Sequence, residues 1–400
     1  MAEKHCGQNR TQKRFGGIRK TRVSIVGFDY MINVEKRGGE GRILNLDTCY
    51  HFEVNLMKLD FFKPLVEPKE FHPNFERLLP DTYSNAKKLF NDWASGFDDR
   101  DGKLVKEFQT TFNSTFWEVY LYATFKKMGF NIDLSNASPD FHINKGSADI
   151  IVEATICNSA AGKVPEWDRT DEYGSSIPKR FWELNKEAMI RINNSIISKV
   201  KKYEKSYSQL SHVKGKPFVI ALAPFEQRFF NLQNDRPIRA VLYDEYVNED
   251  IYLDHPELFP DGPPVENLGF VEKDNGAEIP LGIFNDNQYE CLSAVIFNNA
   301  ATFSKLQALA NKNGEKVMIS STWSTPPTGK PEHIEGWSSE YKENITDGLM
   351  VFHNPFAKYK IDPETFRAER IYQVYPCDEE WTLMFENNED RLLTRNAYTF

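Results

Sequence analysis

Cysteine is scarce. The chain has five in 400 residues (Cys6, Cys49, Cys157, Cys291 and Cys377), far apart and never in a CxxC pair. That spacing gives no disulfide framework and no zinc motif. Long apolar runs are also missing: nothing approaches the roughly 18 residues of a membrane-spanning helix, and no signal-peptide segment opens the chain. A soluble, intracellular and cytoplasmic protein is the expectation. GxSxG, HExxH and GxGxxG do not occur, which sets aside serine-hydrolase, zincin and dinucleotide-binding chemistry. Ala161-Gly162-Lys163 lacks the first Gly and the following Ser/Thr of a phosphate-binding loop. No internal repeat is present. An excess of basic charge is absent too: 49 Lys and Arg against 58 Asp and Glu give a net charge of −9. A uniformly basic nucleic-acid coat is therefore excluded, although local charge matters more than the total.

What is present is a folded chain: 40% hydrophobic and 14% aromatic residues supply a core, and 22 Gly and 21 Pro do not indicate broad disorder. Residues 1–22 hold seven Lys and Arg and little apolar content, as in a mobile arm able to meet phosphates or simply to be solvated. Residues 23–103 show short strands at Val23–Phe28 and Ile43–Leu46, another near Phe52–Phe62, and a helix through Ala86–Trp93. Residues 104–225 form the α/β core of the argument. Residues 226–400 begin with a polar, Pro-containing insertion (226–290) and continue with strands at Leu292–Phe297, Val317–Trp323 and Gly348–Pro355.

Within the core, Phe108, Phe112, Phe116, Val119 and Ala123 recur at three- and four-residue steps, predicting one amphipathic helix from about Leu104 to Met128 with Gly129 as its C-cap. Glu118 lies near the edge of that apolar stripe, where it either faces solvent or reaches a site. Ser138-Pro139-Asp140-Phe141 is a turn feeding a strand. The short, β-branched run Ile150–Cys157 is a buried strand, yet it contains Glu153. A buried carboxylate needs a paired Lys or Arg, or a metal. If the two strands are neighbours, Asp140 and Glu153 stand side by side. At ~4 Å they would repel by roughly 4 kcal/mol at an effective dielectric near 20. A shared hard cation, Mg²⁺ or Mn²⁺, is the common remedy.

Pro139-Asp140, twelve intervening residues and Glu153-Ala154-Thr155 resemble the signature of the PD-(D/E)xK nuclease superfamily, the restriction-endonuclease-like fold. The resemblance spans roughly residues 105–225, and Glu118 matches the acid often carried there by the preceding helix. It implies an α/β fold with a mixed sheet flanked by helices, Mg²⁺ or Mn²⁺ held by Asp140, Glu153 and Glu118, and nucleic acid, first of all DNA, as substrate. Thr155 stands where the family has its lysine. A long helix from Pro178 to about Tyr207 places Arg191, Ser195, Lys199 and Lys202 close together on one face at about 100° per residue. It resembles members of the superfamily whose lysine has moved to a neighbouring helix, with Lys199 the first choice and Lys202 the second. Arg191, Lys163 and Trp167 are candidate nucleic-acid contacts; Trp167 and Tyr173 in the loop 158–177 would either stack on bases or pin that loop to the body. Phe218–Ala223, a second buried strand, completes a β-β-α-β unit. Without its strand lysine, the same fold would alternatively serve as a catalytically inactive nucleic-acid-binding or assembly module.

Overall fold

A computed structural model of the chain describes residues 18–25, 28–35, 59–99, 101–168, 179–310, 316–377 and 382–400. The chain divides into two compact units, Met1–Asn55 and Leu56–Phe400. In the first, Ile18–Ile25 and Phe28–Glu35 form an antiparallel hairpin with Ile25 opposite Phe28. The hairpin takes in Ile18–Arg22, expected as the end of a mobile arm. The expected strand at Ile43–Leu46 lies outside the described residues, as does most of Phe52–Phe62.

The second unit is built on one eight-stranded mixed sheet whose strands lie side by side in chain order. They are β1 (Asn131–Asp133), β2 (Phe141–Lys145), β3 (Ala148–Asn158), β4 (Phe218–Phe225), β5 (Ala294–Phe297), β6 (Met350–His353), β7 (Tyr372–Pro376) and β8 (Leu383–Glu386). β1, β2 and β3 form an antiparallel meander. β3, β4 and β5 are mutually parallel. β6 and β8 each pair antiparallel with the preceding strand, and β7 runs parallel to β6.

Helices cover both faces. On one lie α1 (Ser84–Trp93), α2 (Leu104–Thr110) and α3 (Asn113–Lys127), whose aromatic side chains cluster with Val152, Ala154, Val219 and Ala221 of the sheet. On the other lie α4 (Phe181–Lys205) and α5 (Arg236–Tyr243), with Ile192, Ile196, Val200 and Val241 packed on Ile151, Ile220, Leu222 and Val295. Alternation along the strands divides the two cores. Every residue of β4 is buried, which is why it has no polar position. Parallel neighbours β3 and β4 need a crossover, and α4 supplies it. Also present are a further helix, α6 (Phe303–Ala310), a three-stranded sheet of Val317–Thr325, Lys330–Trp337 and Arg391–Thr399, short helices at Pro73–Glu76 and Glu249–Asp254, and two small two-stranded sheets within residues 246–280.

The structure departs from two sequence expectations. The single helix over Leu104–Met128 is two helices, because Phe112 takes φ 48° and ψ −71° between them. Thr110 and Thr111 turn their hydroxyls back onto the carbonyls of Lys106 and Glu107, a competition that loosens a helix end. The apolar period survives the break as packing: the Phe112 ring lies 4.9 Å from Phe108 and 5.8 Å from Phe116. The polar stretch 226–290, in turn, contains α5, whose Ile238, Ala240, Val241 and Leu242 are fully buried against the sheet. Gly129 does follow α3 with φ 80°, as a C-cap requires. Among the described residues no helix is long and apolar enough to cross a membrane.

Candidate functional site

The site begins at the junction of β2 and β3. Phe141 is opposite Val152, so one further step in the same antiparallel register brings Asp140 opposite Glu153. β2 starts at Phe141, and beyond this point β3 continues to Asn158 without β2 beside it. Asp140 closes that corner: its Oδ2 accepts from the backbone N–H of Ala154 at 2.7 Å. Glu153 is 1% exposed and shares a face with Ile151 and Cys157, toward α4.

From α4 two lysines reach in. Lys199 Nζ donates to Glu153 Oε1 at 2.7 Å, and Lys202 Nζ donates to the same oxygen at 3.1 Å. They stand three residues apart on one helical face, the spacing that lets both stems converge. Just past the helix, the Tyr207 hydroxyl donates to the same oxygen at 3.2 Å, and the Lys202 ammonium sits 4.9 Å from the Tyr207 ring centroid. The second carboxylate oxygen, Glu153 Oε2, is buried without a hydrogen-bond partner. Sequence reasoning misses Tyr207, which lies five residues past Lys202, beyond the end of the helix.

The charges are strongly coupled. Burial, then the negative charge of Glu153, pushes the Asp140 carboxyl up to about 6 against the help of the Ala154 N–H. On α3, burial pushes Glu118 up to about 8, and Asp140 and Glu107 add to the shift while Lys199 opposes it. Glu118 therefore feels the same charges although it approaches from the opposite layer. Burial works against the Lys202 ammonium, but hydrogen bonds to Tyr207 and Glu153 outweigh it and raise its pKa. Burial likewise pushes the Tyr207 hydroxyl up to about 12. Asp140 and Glu118, both raised, and Lys202, raised in the opposite sense of its burial, are groups whose titration the folded chain perturbs.

The other expected contacts lie elsewhere. Arg191 Nε donates to the Asn158 carbonyl at 2.8 Å, tying α4 to the far end of β3. Lys163 pairs with Asp274 at 2.8 Å on the surface. Trp167 is pinned to the body: its carbonyl accepts from Arg77, and its ring meets His72 edge-on at 4.4 Å. Tyr173 lies outside the described residues. Cys157 is a buried core residue, and His353 is buried with Nε2 3.0 Å from Gln373 Oε1. Half-buried Thr155 carries no charge that could replace the lysines.

Whether these residues fit a divalent cation is a question of donors. Glu153 Oε2 is an unpaired carboxylate oxygen next to Asp140, and both are hard oxygen ligands, so the chemistry fits Mg²⁺ or Mn²⁺. Against that, Lys199, Lys202 and Tyr207 already satisfy the other oxygen. Among the described residues, no three Asp, Glu, His or Cys side chains are gathered closely enough to hold a metal ion. Comparison with protein-family models, with curated proteins and with solved structures finds no match to this chain.

Proposed function

We propose that the chain is a metal-dependent nuclease that hydrolyses phosphodiester bonds in nucleic acid, DNA first of all, on a restriction-endonuclease-like core. The observation that carries this reading is the convergence of Lys199 and Lys202 on Glu153 directly across from Asp140. The order helix with Glu118, strand after Pro139-Asp140, strand with Glu153, helix with Lys199, parallel strand supports it. Asp140 and Glu153 would hold Mg²⁺ or Mn²⁺, with Glu118, approaching from the opposite layer, as a further ligand or a group behind them. When bound, the cation lowers the pKa of water and offsets charge on the phosphate. Lys199, 23% exposed at the side chain, would donate to a phosphoryl oxygen as negative charge develops there. Lys202 and Tyr207 orient the Glu153 carboxylate. Asp140, pushed up to about 6, is ionised at neutral pH and loses that charge in mild acid.

A second reading has its own observation. With Glu153 Oε1 satisfied by three donors, the buried carboxylate is also neutralised by the chain's own lysines, as a non-catalytic nucleic-acid-binding or assembly module would need. Incubation of supercoiled plasmid, single-stranded DNA and RNA with Mg²⁺, Mn²⁺ or EDTA separates the two. Cleavage that needs the metal and is lost in Glu153→Gln supports the nuclease. Absence of cleavage on all three substrates with both metals favours the module.

A further inference from the structure

One cavity of about 310 Å³ opens beside the start of α3, five residues before Glu118. Pockets for small ligands span about 300–1,000 Å³, so this one accepts a single ring system and not a length of strand. The rings of Phe112, Phe116, Phe225, Phe230 and Phe303 contribute to its lining. Its polar lining includes five carboxamides, Asn74, Asn113, Asn231, Gln307 and Asn396, beside the charged side chains of Arg77, Glu166 and Arg395.

These amides are held in place. Buried Glu166 accepts from Asn74 Nδ2 at 2.6 Å and from Asn113 Nδ2 at 2.9 Å. Asn231 Nδ2 donates to Asn396 Oδ1 at 3.2 Å and to Thr394 Oγ1 at 3.3 Å. Each of the two carboxamides carries a second polar atom, an acceptor in Asn231 Oδ1 and a donor in Asn396 Nδ2. Gln307 is fixed the same way through Nε2 to Thr399 Oγ1 at 2.7 Å. Phe112 lines the cavity from the left-handed region at φ 48°, a costly backbone for a bulky residue. Such outliers persist where surrounding structure holds them, often at ligand clamps.

We propose that this cavity receives one unstacked nucleobase of a nucleic-acid strand. Aromatic faces stack on a base of any sequence. An acceptor and a donor match the edge of a base, and a carboxamide matches adenine best. Five residues of α3 advance about 7–8 Å along the helix axis, the axial step from Asn113 at the cavity to Glu118. The assignment of the ligand rests on the nuclease reading; the cavity itself does not. A nucleoside carries no phosphate and needs neither metal nor lysine, so it tests the cavity separately.

The full chain is titrated with adenosine, guanosine, cytidine and thymidine, with binding followed by ligand-observed saturation-transfer NMR. Cleavage is assayed in parallel with Mg²⁺. At least one nucleoside is expected to bind saturably, adenosine first. Asn231→Leu, which removes the acceptor at nearly constant size, and Ser304→Trp, which fills the cavity, are each expected to weaken binding about tenfold or more. Both variants are checked for an unchanged melting transition, so that if one is misfolded the other still decides. No saturable binding of any nucleoside overturns the proposal, even if the chain cleaves nucleic acid. Binding that is equally tight in a folded variant also overturns it. Binding lost in a folded variant upholds the base pocket even if the chain never cleaves.

Discussion

Glu153 is 1% exposed on a strand of otherwise apolar core residues, and two ammonium groups reach it from one helix. Of these, Lys199 is the closer and the more deeply placed, with 23% side-chain exposure against 49% for Lys202. In the nuclease reading, a group that meets developing charge matters in the transition state more than in the bound state. Lys199→Ala is therefore expected to lower single-turnover cleavage by about 10²–10³ while changing DNA affinity little. Lys202→Ala should have the smaller effect; wild-type rates in both variants would end the idea of a migrated lysine. Glu118 makes a prediction that needs no substrate. Its carboxyl is raised from 4.5 to about 8, chiefly by burial. An acid raised by folding binds more protons folded than unfolded, so its contribution to stability falls as pH rises from about 4.5 through about 8. Glu118→Gln is neutral throughout. It should match the wild type near pH 4 and exceed its stability at pH 9 by on the order of 5 kcal/mol, seen as a higher melting temperature. Added Mg²⁺ should restore the wild type at pH 9 and leave the variant unmoved if Glu118 lies at the metal. Equal pH profiles for the two proteins would show that Glu118 ionises as freely folded as unfolded.

The two functional helices meet the sheet by different means, and only one was plain in the sequence. Ile150–Cys157 and Phe218–Ala223 are short, apolar and β-branched, and they appear as β3 and β4 with small changes at their ends. Lys199 and Lys202 fall on one face of α4 by helical arithmetic alone, so a lysine from that helix was legible; that both reach Glu153 together, and not Lys199 or Lys202 as alternatives, was not. The break at Phe112 was not, because periodicity records which residues are buried and not whether the backbone stays helical between them. Nor were Tyr207 and the amide-lined cavity, whose partners are distant in the chain. Trp117 shows how α3 is anchored beneath the site: its indole N–H donates to the Ala221 carbonyl of β4 at 3.0 Å in a fully buried contact. Trp117→Phe keeps a ring and removes that donor, for an expected loss of about 1–2 kcal/mol. Trp117→Ala adds a cavity and should cost about 3–5 kcal/mol. Urea midpoints measure both; a loss as large in Phe as in Ala would mean that the hydrogen bond, not the filled volume, holds the helix.

At the scale of the whole second unit, stability depends on charges that lie far apart in the chain. Glu343, in the segment after the three-stranded sheet's second strand, receives Lys305 from α6 and, through Arg395 Nε at 2.9 Å, the last strand. The side chains of all three are fully buried, and Arg395 also donates to the Ala300 carbonyl. The separations of 38 and 52 residues leave no local trace, which is why nothing in the sequence of residues 226–400 announced this cluster. Its geometry fastens the three-stranded sheet to α6 and so to the helical layer that contains α3. Arg395 is flanked by Thr394 and Asn396, the two partners of Asn231 in the amide-lined cavity, so the cluster also sets the floor of that cavity. Removing one partner of a buried ion network leaves the others charged and unpaired, typically at a cost of about 3–5 kcal/mol. Glu343→Ala should lose stability of that order, with two uncompensated cations. The loss should change little between low salt and 0.5 M salt, a range of about 0.5 M chosen because buried charges are screened much less than exposed ones. Urea unfolding at both salt concentrations reads this directly. A single cooperative transition shifted to lower urea is expected if the sheet and the core unfold as one. A separate early transition would instead show that the C-terminal strands detach on their own, leaving the corner formed by Asp140, Glu153 and Lys199 folded without them.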